Sequence, residues 1–243
     1  MPYFAGFDIA QYPKQPMMDW LKANSNLKWC GYYFAAPNRP ECGWTGQYNS
    51  LKSNWGVLPI YVGQQDPRTA TANYKPSSIL TSQQGSIDGG KTASLMANDG
   101  FPSGSFVYLD WEQGDITAVG ATDYIRAWVS AVAADGRANP AIYCAHGVAQ
   151  SVRQIIASIN PVPSTRFWCW MVSEQMAEPH PFTGDLANLP TIDPTGCGYA
   201  GAQMWQREQN AIVTFTVGAP MSKLQVDFST SSLADPGSPT PIV

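Results

Sequence analysis

Two acidic side chains stand at the end of an apolar run near the middle of the chain. Residues 106–112 read FVYLDWE, so Asp110 and Glu112 are separated by a single residue. Side chains alternate along a strand, and both carboxyl groups are therefore expected on the same side. Carboxyl groups packed together in a partly apolar cleft raise the pKa of at least one of them. A pair of this kind can supply the proton donor and the ionised partner that hydrolysis of a glycosidic bond requires.

Two further acids end apolar runs elsewhere in the chain, Asp8 in GFDIAQYP and Asp227 in QVDFS. In a closed barrel the first and eighth strands are neighbours and the fourth lies across the mouth, so all four acids would converge there. Other interpretations stay open at this point. Clustered acids also bind Ca²⁺ or Mg²⁺, and Asp8 and Asp227 could instead cap loops while only Glu112 reaches solvent.

The elements that must position these acids follow from the hydrophobic pattern, which predicts strands that alternate with helices. Strands are predicted over 3–10, 29–36, 56–63, 105–112, 140–146, 166–172, 200–206 and 223–229. Helices are predicted over 16–24, about 44–54, 84–99, 117–135 and 147–158, with Thr117 as the N-cap of the fourth and Gly136 at its end. Near-continuous apolar strands that alternate with helices favour a parallel sheet covered on its outside.

Strands of this kind in a chain of 243 residues favour an α/β fold with a single (β/α)8 TIM-type barrel. The barrel is predicted to occupy residues 1–229 and to be less regular in its last third. A long loop is predicted between 172 and 200, and an extra strand or hairpin over 211–217. Residues 230–243 form a Pro/Ser-rich C-terminal tail.

Composition excludes several classes of partner. Charged residues make up 13% of the chain, its net charge is −4 and it has no Lys/Arg cluster, so we expect no binding to nucleic acid. No apolar run is long enough to span a membrane, and the N-terminus lacks the basic and apolar regions of a secretory signal. His is scarce and no CxxC occurs, so a zinc site is not expected. We assign no metal and no cofactor to the predicted site.

The cysteines divide into two groups by context. Cys30, Cys144 and Cys169 lie inside apolar strand-like runs and are most simply buried thiols. Cys42 and Cys197 lie in Gly-rich loop contexts and could form a disulfide, which the sequence does not decide.

Five short motifs occur in order along almost the whole chain: GFDIAQYP, GYYFAAP at 31–37, YLDWE at 108–112, MWQ at 204–206 and VDFS at 226–229. Together they resemble the family-25 glycoside hydrolases, the muramidase-type lysozymes with a barrel fold. Residues 85–112 are more similar still to a related group, the glycoside-hydrolase-like domain of unknown function. The resemblance runs from about residue 4 to residue 229.

The resemblance implies roles for the four acids. Glu112 matches the general acid, and Asp110 matches its partner, which acts as stabiliser, nucleophile or base. Asp8 and Asp227 match the acids on the first and last strands. Tyr33 stands where the muramidases often have His, and this departure removes a titratable donor.

Several aromatic and amide side chains are candidates for substrate binding, although core packing is the competing interpretation for most of the aromatic ones. The candidates are Tyr33, Tyr61, Tyr143, Trp170, Trp205 and Gln206, of which Trp205 and Gln206 match the family's Trp-Gln pair. His146, Gln64, Gln65 and Trp168 lie near the expected mouth and are weaker candidates.

The substrate implied by the resemblance is peptidoglycan, cleaved between N-acetylmuramic acid and N-acetylglucosamine. Without a recognisable secretory signal, such an enzyme would be made in the cytoplasm and would reach cell wall after lysis or by non-classical secretion. It would then be a phage endolysin or a secreted antibacterial effector. We expect a monomer, with an immunity protein as a possible partner. The alternatives are a degenerate barrel that only binds glycan and a hydrolase of another glycan.

Overall fold

The computed structural model describes residues 2–112, 114–173, 178–215 and 218–239. Its strands are β1 Phe4–Asp8, β2 Leu27–Tyr33, β3 Gly56–Tyr61, β4 Ser105–Trp111, β5 Ala138–Ala145, β6 Arg166–Trp170, β7 His180–Pro181, β8 Met204–Thr214 and β9 Lys223–Ser231. Its helices are α1 Gln15–Asn24, α2 Tyr48–Leu51, α3 Ser82–Asn98, α4 Ala121–Asp135 and α5 His146–Ala157.

Eight of the strands close into a barrel. Strands β1 to β6 pair in chain order as parallel neighbours, and β6 pairs in parallel with β8. Strand β9 closes the ring by pairing antiparallel with both β8 and β1. The two-residue strand β7 is an extra strand on the edge of β8. The predicted α/β barrel of the TIM type is therefore confirmed, with its irregular part at the end of the chain.

The last strand of the barrel runs in the opposite direction to the one expected for a regular (β/α)8 barrel. Residues 211–214 are the second half of β8, so the predicted extra strand at 211–217 is a continuation of that strand, and Thr216 and Val217 lie outside the described residues. Only residues 215–222 separate β8 from β9 in the sequence. A parallel return needs a crossover of a dozen residues or more, so a loop of this length requires the antiparallel pairing.

Helix α4 begins later than predicted. Its N-cap is Gly120, with φ 83°, whereas Thr117 binds Asp115 through both its backbone N–H and its hydroxyl. A side chain at Gly120 would meet the Leu80 carbonyl oxygen at 1.8 Å, so the entry to the helix requires glycine. Gly136 ends the helix with φ 77°, as predicted. The predicted helix at 44–54 is reduced to the single turn of α2.

Between 172 and 200 the described residues form strand β7 and two short 3₁₀ turns, Leu186–Asn188 and Pro194–Cys197, instead of one uninterrupted loop. Residues 174–177 lie outside the described part. All five cysteines are buried free thiols, so the disulfide considered for Cys42 and Cys197 is not formed. Among the described residues, no helix is long and apolar enough to cross a membrane.

Large aromatic side chains fill the inside of the barrel. Trp29, Tyr108, Tyr143 and Trp168 are all buried, and the rings of Tyr143 and Trp168 stack with centroids 3.9 Å apart. The C-terminal segment closes the lower end, where the Tyr108 hydroxyl donates to the Pro236 carbonyl at 3.1 Å. The Arg166 guanidinium donates to the same carbonyl at 2.7 Å. Because the barrel is packed below, open space is left at its upper end, where the acids lie.

Candidate active site

The four predicted acids meet at the upper end of the barrel. Asp8 is the last residue of β1, and Asp110 and Glu112 lie at the end of β4 and just beyond it. Asp227 is the direct register partner of Asp8. It reaches this end from the first half of an antiparallel strand and does not stand at a strand's C-terminal end, as the sequence interpretation assumed. Asp8 and Asp110 are buried, whereas Glu112 and Asp227 are partly exposed to the cleft.

Asp8 is held from one side only. The Tyr33 hydroxyl donates to Asp8 Oδ2 at 2.7 Å, whereas Asp8 Oδ1 is buried and has no hydrogen-bond partner among the described residues. The close approach of β1 to β2 depends on Gly31, because a Cβ there would lie 2.6 Å from the Asp8 Cβ. Tyr33 therefore orients the first acid.

Asp227 is held by the irregular part of β8. Gln206 donates from Nε2 to Asp227 Oδ2 at 3.2 Å. The register of β8 against β9 shifts after Gln206 and again before Ala211, and Asn210 takes a left-handed φ of 59° between them. This distortion aims the Asn210 backbone N–H at Asp227 Oδ1, which it reaches at 2.6 Å. The bulge in β8 therefore provides a hydrogen-bond donor that fixes the Asp227 carboxylate.

Asp110 and Glu112 are joined by the chain between them. The Glu112 backbone N–H donates to Asp110 Oδ1 at 3.1 Å. Gln209 on β8 donates to Glu112 Oε1 at 2.8 Å, and the Trp170 indole N–H donates to the Glu112 carbonyl at 2.5 Å. Backbone and side chain of Glu112 are therefore fixed from two different strands.

Tyr143 and Gln206 form the floor beneath these acids. The Tyr143 hydroxyl donates to the Gln206 side-chain oxygen, and Gln206 in turn donates to Asp227. The Tyr143 hydroxyl is also close enough to the Glu112 carboxyl to lower the pKa of Glu112. Since Tyr143 is stacked on Trp168, the floor is rigid and links the acid on β4 to the acid on β9.

The acids of the cluster differ in pKa. Burial, together with the charges of Asp110 and Asp227, raises the pKa of Glu112 to about 8. Burial also raises the pKa of Asp110 to about 6, although the hydrogen bond from the Glu112 N–H and the charge of Arg39 oppose it. The pKa of Asp227 is likewise raised by burial to about 6, against the hydrogen bonds from Asn210 and Gln206. Near neutral pH, Glu112 therefore keeps its proton while Asp110 and Asp227 are ionised.

The pKa of Asp8 is raised, as that of Glu112 is. Burial and the charge of Asp227 hold the pKa of Asp8 well above its ordinary value, and the hydrogen bond from Tyr33 only partly offsets them. The raised pKa therefore favours the protonated form of Asp8. In the described part of the chain, no three His, Cys, Asp or Glu side chains are arranged to hold a metal ion.

The cleft above the acids has two lobes that meet at Glu112 and Arg39. The larger lobe has a volume of about 720 Å³, and Asp8, Tyr33 and Asp227 are among its lining residues. The smaller lobe has a volume of about 400 Å³, and its lining includes Asp110. Both volumes lie in the range of small-molecule sites. A proton donor at the junction can reach a bond in the middle of an extended ligand that occupies both lobes.

The other predicted binding residues are distributed unevenly around this cleft. Tyr33 lines the larger lobe, Tyr143 and Gln206 lie beneath the acids, and Trp170 supports Glu112. Tyr61 and Trp205 line neither lobe. Tyr61 is fully buried beside Asp88. Trp205 lies on the outer face of β8, and its indole N–H donates to the Met171 carbonyl at 3.0 Å.

The weaker candidates for substrate binding also differ in whether they line the cleft. Gln65 lines the smaller lobe and donates to the Asp110 carbonyl at 2.7 Å. Gln64 is buried and binds Asp88 and Ser77, which gives it a structural environment. His146 begins α5, where its Nδ1 lies 3.3 Å from the Trp170 carbonyl.

Among the cleft residues that were not predicted from the sequence are Arg39, Tyr74 and Gln209. Arg39 lines both lobes, Tyr74 lines the smaller lobe, and Gln209 contacts Glu112. Arg39 and Tyr74 lie in loops that follow β2 and β3. The position of these loops at the C-terminal ends of barrel strands was the one available indication of a role in the site.

Comparison with known proteins now identifies the family. The family model described as "Rv2525c-like, glycoside hydrolase-like domain" matches residues 19–211. The chain belongs to this family. Membership of the Rv2525c-like family confirms the resemblance inferred from the motifs. No curated protein matches the chain in sequence.

Several solved structures are similar in fold to the Rv2525c-like chain. The spore cortex lytic enzyme SleM of Clostridium perfringens has a TM-score of 0.57 at 12% identity, over 95% of this chain and 67% of that one. GHIP, a glycosyl hydrolase 25 of Streptococcus pneumoniae, has a TM-score of 0.52 at 14% identity, over 94% of this chain and 87% of that one. The modular autolysin LytC of the same organism was solved with a synthetic peptidoglycan ligand. It has a TM-score of 0.53 at 13% identity, over 94% of this chain and 46% of that one. At these identities the likeness concerns the fold.

The raised pKa of Glu112 in this Rv2525c-like barrel predicts a pH-dependent cost in stability. The folded protein holds the Glu112 proton up to about pH 8, whereas an ordinary glutamate loses it near 4.5. The free energy of unfolding therefore decreases as pH rises through this window. Glu112→Gln removes this cost, and we expect it to stabilise the protein by about 2–4 kcal/mol more at pH 8 than at pH 5. Thermal unfolding at both pH values measures the difference, and an equal effect at the two would contradict it.

Proposed function

We propose that the protein is a glycoside hydrolase that cleaves the glycan strands of peptidoglycan, as an N-acetylmuramidase of the lysozyme kind. The observation that carries the proposal is the position of Glu112. It is a carboxyl group that is protonated near neutral pH, it lies where the two lobes of the cleft meet, and it stands next to the ionised Asp110. Hydrolysis of a glycosidic bond requires this combination of acid and carboxylate.

In the proposed mechanism Glu112 gives its proton to the glycosidic oxygen as the bond from the anomeric carbon to that oxygen breaks. The positive charge that develops on the sugar is stabilised by the Asp110 carboxylate, which acts as stabiliser, nucleophile or base. Water then adds to the anomeric carbon, and its proton passes to the carboxylate that is free to receive it. Gln209 and Trp170 hold Glu112 in place during these steps.

Asp8 and Asp227 act on the substrate and on the acid pair in different ways. Asp227 is ionised near neutral pH, and its charge helps to keep the proton on Glu112. Asp8 lines the larger lobe and has a raised pKa, so in its protonated form it can donate a hydrogen bond to a sugar hydroxyl. Tyr74, which is 39% exposed, offers aromatic surface to a sugar in the smaller lobe.

The choice of peptidoglycan as substrate is supported by the family and by the ligand of LytC. It follows from the proposal that the protein acts on cell wall, which it would meet after lysis or through non-classical secretion. A role as phage endolysin or secreted antibacterial effector, and an immunity protein as partner of an effector, belong to the same proposal.

A catalytically degenerate barrel that only binds glycan is the second candidate. It is favoured by the replacement of the muramidase His with Tyr33, whose hydroxyl is already engaged by Asp8. Clearing of a purified cell-wall suspension separates the two candidates. If the protein is a hydrolase, wild type lowers the turbidity and Glu112→Gln does not, while both proteins sediment with the walls. If wild type sediments with the walls and never clears them, the binding candidate is correct.

The pKa values also predict the pH dependence of the proposed activity. Asp110 must be ionised, so kcat/KM should rise through about pH 6. Glu112 must be protonated, so kcat/KM should fall again through about pH 8. We therefore expect a bell-shaped profile with its maximum near pH 7 on soluble peptidoglycan fragments. A profile that stays flat from pH 5 to pH 9 would contradict the assignment of these two groups.

A further inference from the structure

Arg39 is presented to the cleft by a rigid turn. Residues 36 and 39 exchange backbone hydrogen bonds, from Ala36 N–H to the Arg39 carbonyl at 2.8 Å and from Arg39 N–H to the Ala36 carbonyl at 3.1 Å. Asn38 at the tip donates to the Gly63 carbonyl at 2.7 Å and to the Ser77 carbonyl at 2.9 Å. Its side-chain oxygen accepts from the Ser77 N–H at 2.7 Å. The turn is thus fastened to the loop that follows β3.

The side chain of Arg39 packs on an aromatic ring and forms no ion pair among the described residues. Its guanidinium lies over the Tyr33 ring, 4.9 Å from the ring centroid. Its Nε is buried and has no hydrogen-bond partner in the described part of the chain. Among these residues no carboxylate lies within ion-pair distance of Arg39, although its charge lowers the pKa of Asp110, Glu112 and Asp227 through space.

Charge compensation alone does not account for this arrangement. Where an arginine neutralises a buried carboxylate in this protein it makes direct contact, as Arg68 does with Asp66 at 2.7 Å. Arg39 stands off from all four acids, and its side chain has no hydrogen-bond partner within the described ranges. It lies where the two lobes meet. A guanidinium presents a planar set of donors that matches a carboxylate in two parallel hydrogen bonds.

We propose that Arg39 binds a carboxylate carried by the glycan and so makes the site selective for acidic over neutral strands. The inference deepens the proposed function and rests on it. An acidic mouth repels an anionic substrate, and Arg39 offsets that repulsion beside the acid that gives up its proton. Lys14 and Lys223 add positive charge to the larger lobe. Lys14 has φ 74° and ψ 154°, a conformation that is almost confined to glycine and that persists only where the surrounding structure imposes it.

The carboxylate has two chemical sources in peptidoglycan. One is the lactyl ether on the sugar ring, which is free in strands without stem peptides. The other is the stem peptide, whose attachment converts the lactyl carboxyl into an amide and adds carboxylates of its own. Soluble fragments with and without stem peptides present these sources separately, and chitotetraose offers the same backbone without any carboxylate.

The experiment measures the binding of these three ligands by calorimetry in the Glu112→Gln background, which removes turnover. Adding Arg39→Gln should weaken the binding of at least one acidic ligand about 10–100-fold and leave chitotetraose unchanged. The acidic ligand that is affected identifies the source of the carboxylate. Arg126→Gln, which removes a similar exposed charge from α4, is the matched control and should change none of the three.

Two results would overturn the inference. One is equal weakening of acidic and neutral ligands by Arg39→Gln, and the other is unchanged affinity for both acidic ligands, including the case in which neither binds to the starting protein. If Arg39→Gln does not fold, Arg39→Lys carries the same comparison, because it keeps the charge and loses the paired donors. The proposed function fails separately, if wild type binds the fragments and releases no reducing ends from them.

Discussion

Replacement of Glu112 with Gln is expected to lower kcat/KM on peptidoglycan fragments about 10³-fold, within the range found for the loss of a general acid. The amide keeps the size of the carboxyl group and its contact with Gln209, but it has no proton to give to the leaving oxygen. The rate of reducing-end release measures the effect. Glu178→Gln, which alters an exposed carboxylate on the loop before β7, is the matched control and should retain full activity.

A substrate with an activated leaving group sharpens this test. A glycoside of a weakly basic phenol needs little protonation as it departs, so Glu112→Gln should lose far less activity on it than on peptidoglycan. Equal losses on both substrates would show that Glu112 supports the structure or binds the sugar, without acting as the acid.

The second large effect is expected from Asp110→Asn, which should lower kcat about 10²–10³-fold. The substitution removes the negative charge that stabilises the positive charge developing on the sugar. The same substitution also removes a charge that raises the pKa of Glu112, so the alkaline limb of the pH profile should move to lower pH. Asp227→Asn is the comparison. It should move the alkaline limb in the same direction and lose less in rate, because Asp227 lies on the opposite strand from the acid pair. A full rate for Asp110→Asn with an unmoved limb would exclude Asp110 from both roles.

The sequence was sufficient to predict the barrel and the convergence of its acids because both depend on strong local patterns. FVYLDWE is apolar where β4 crosses the core and acidic where it reaches the cleft. The pairing of Asp8 with Asp227 followed from the neighbourhood of the first and last strands, and it holds although β9 runs antiparallel. Closure of the ring brings the same two strands together in either direction.

Other features depended on geometry that a single sequence does not contain. Trp205 and Gln206 are adjacent, so only one can face the inside of the barrel, and the alternation places Gln206 there. The bulges in β8 that turn Asn210 toward Asp227 leave no clear pattern in QREQN. Arg39 owes its place to a turn that Asn38 fastens to another loop, and such contacts between distant segments are invisible to periodicity.

The most direct test of the central claim is the chemical identity of the ends that the protein creates in purified peptidoglycan. After digestion, borohydride reduction and mass spectrometry distinguish reduced muramic acid from reduced glucosamine at each new end. The account predicts new ends of reduced muramic acid with wild type and none with Glu112→Gln. The absence of new ends with wild type, or their appearance with Glu112→Gln at the wild-type rate, would contradict it.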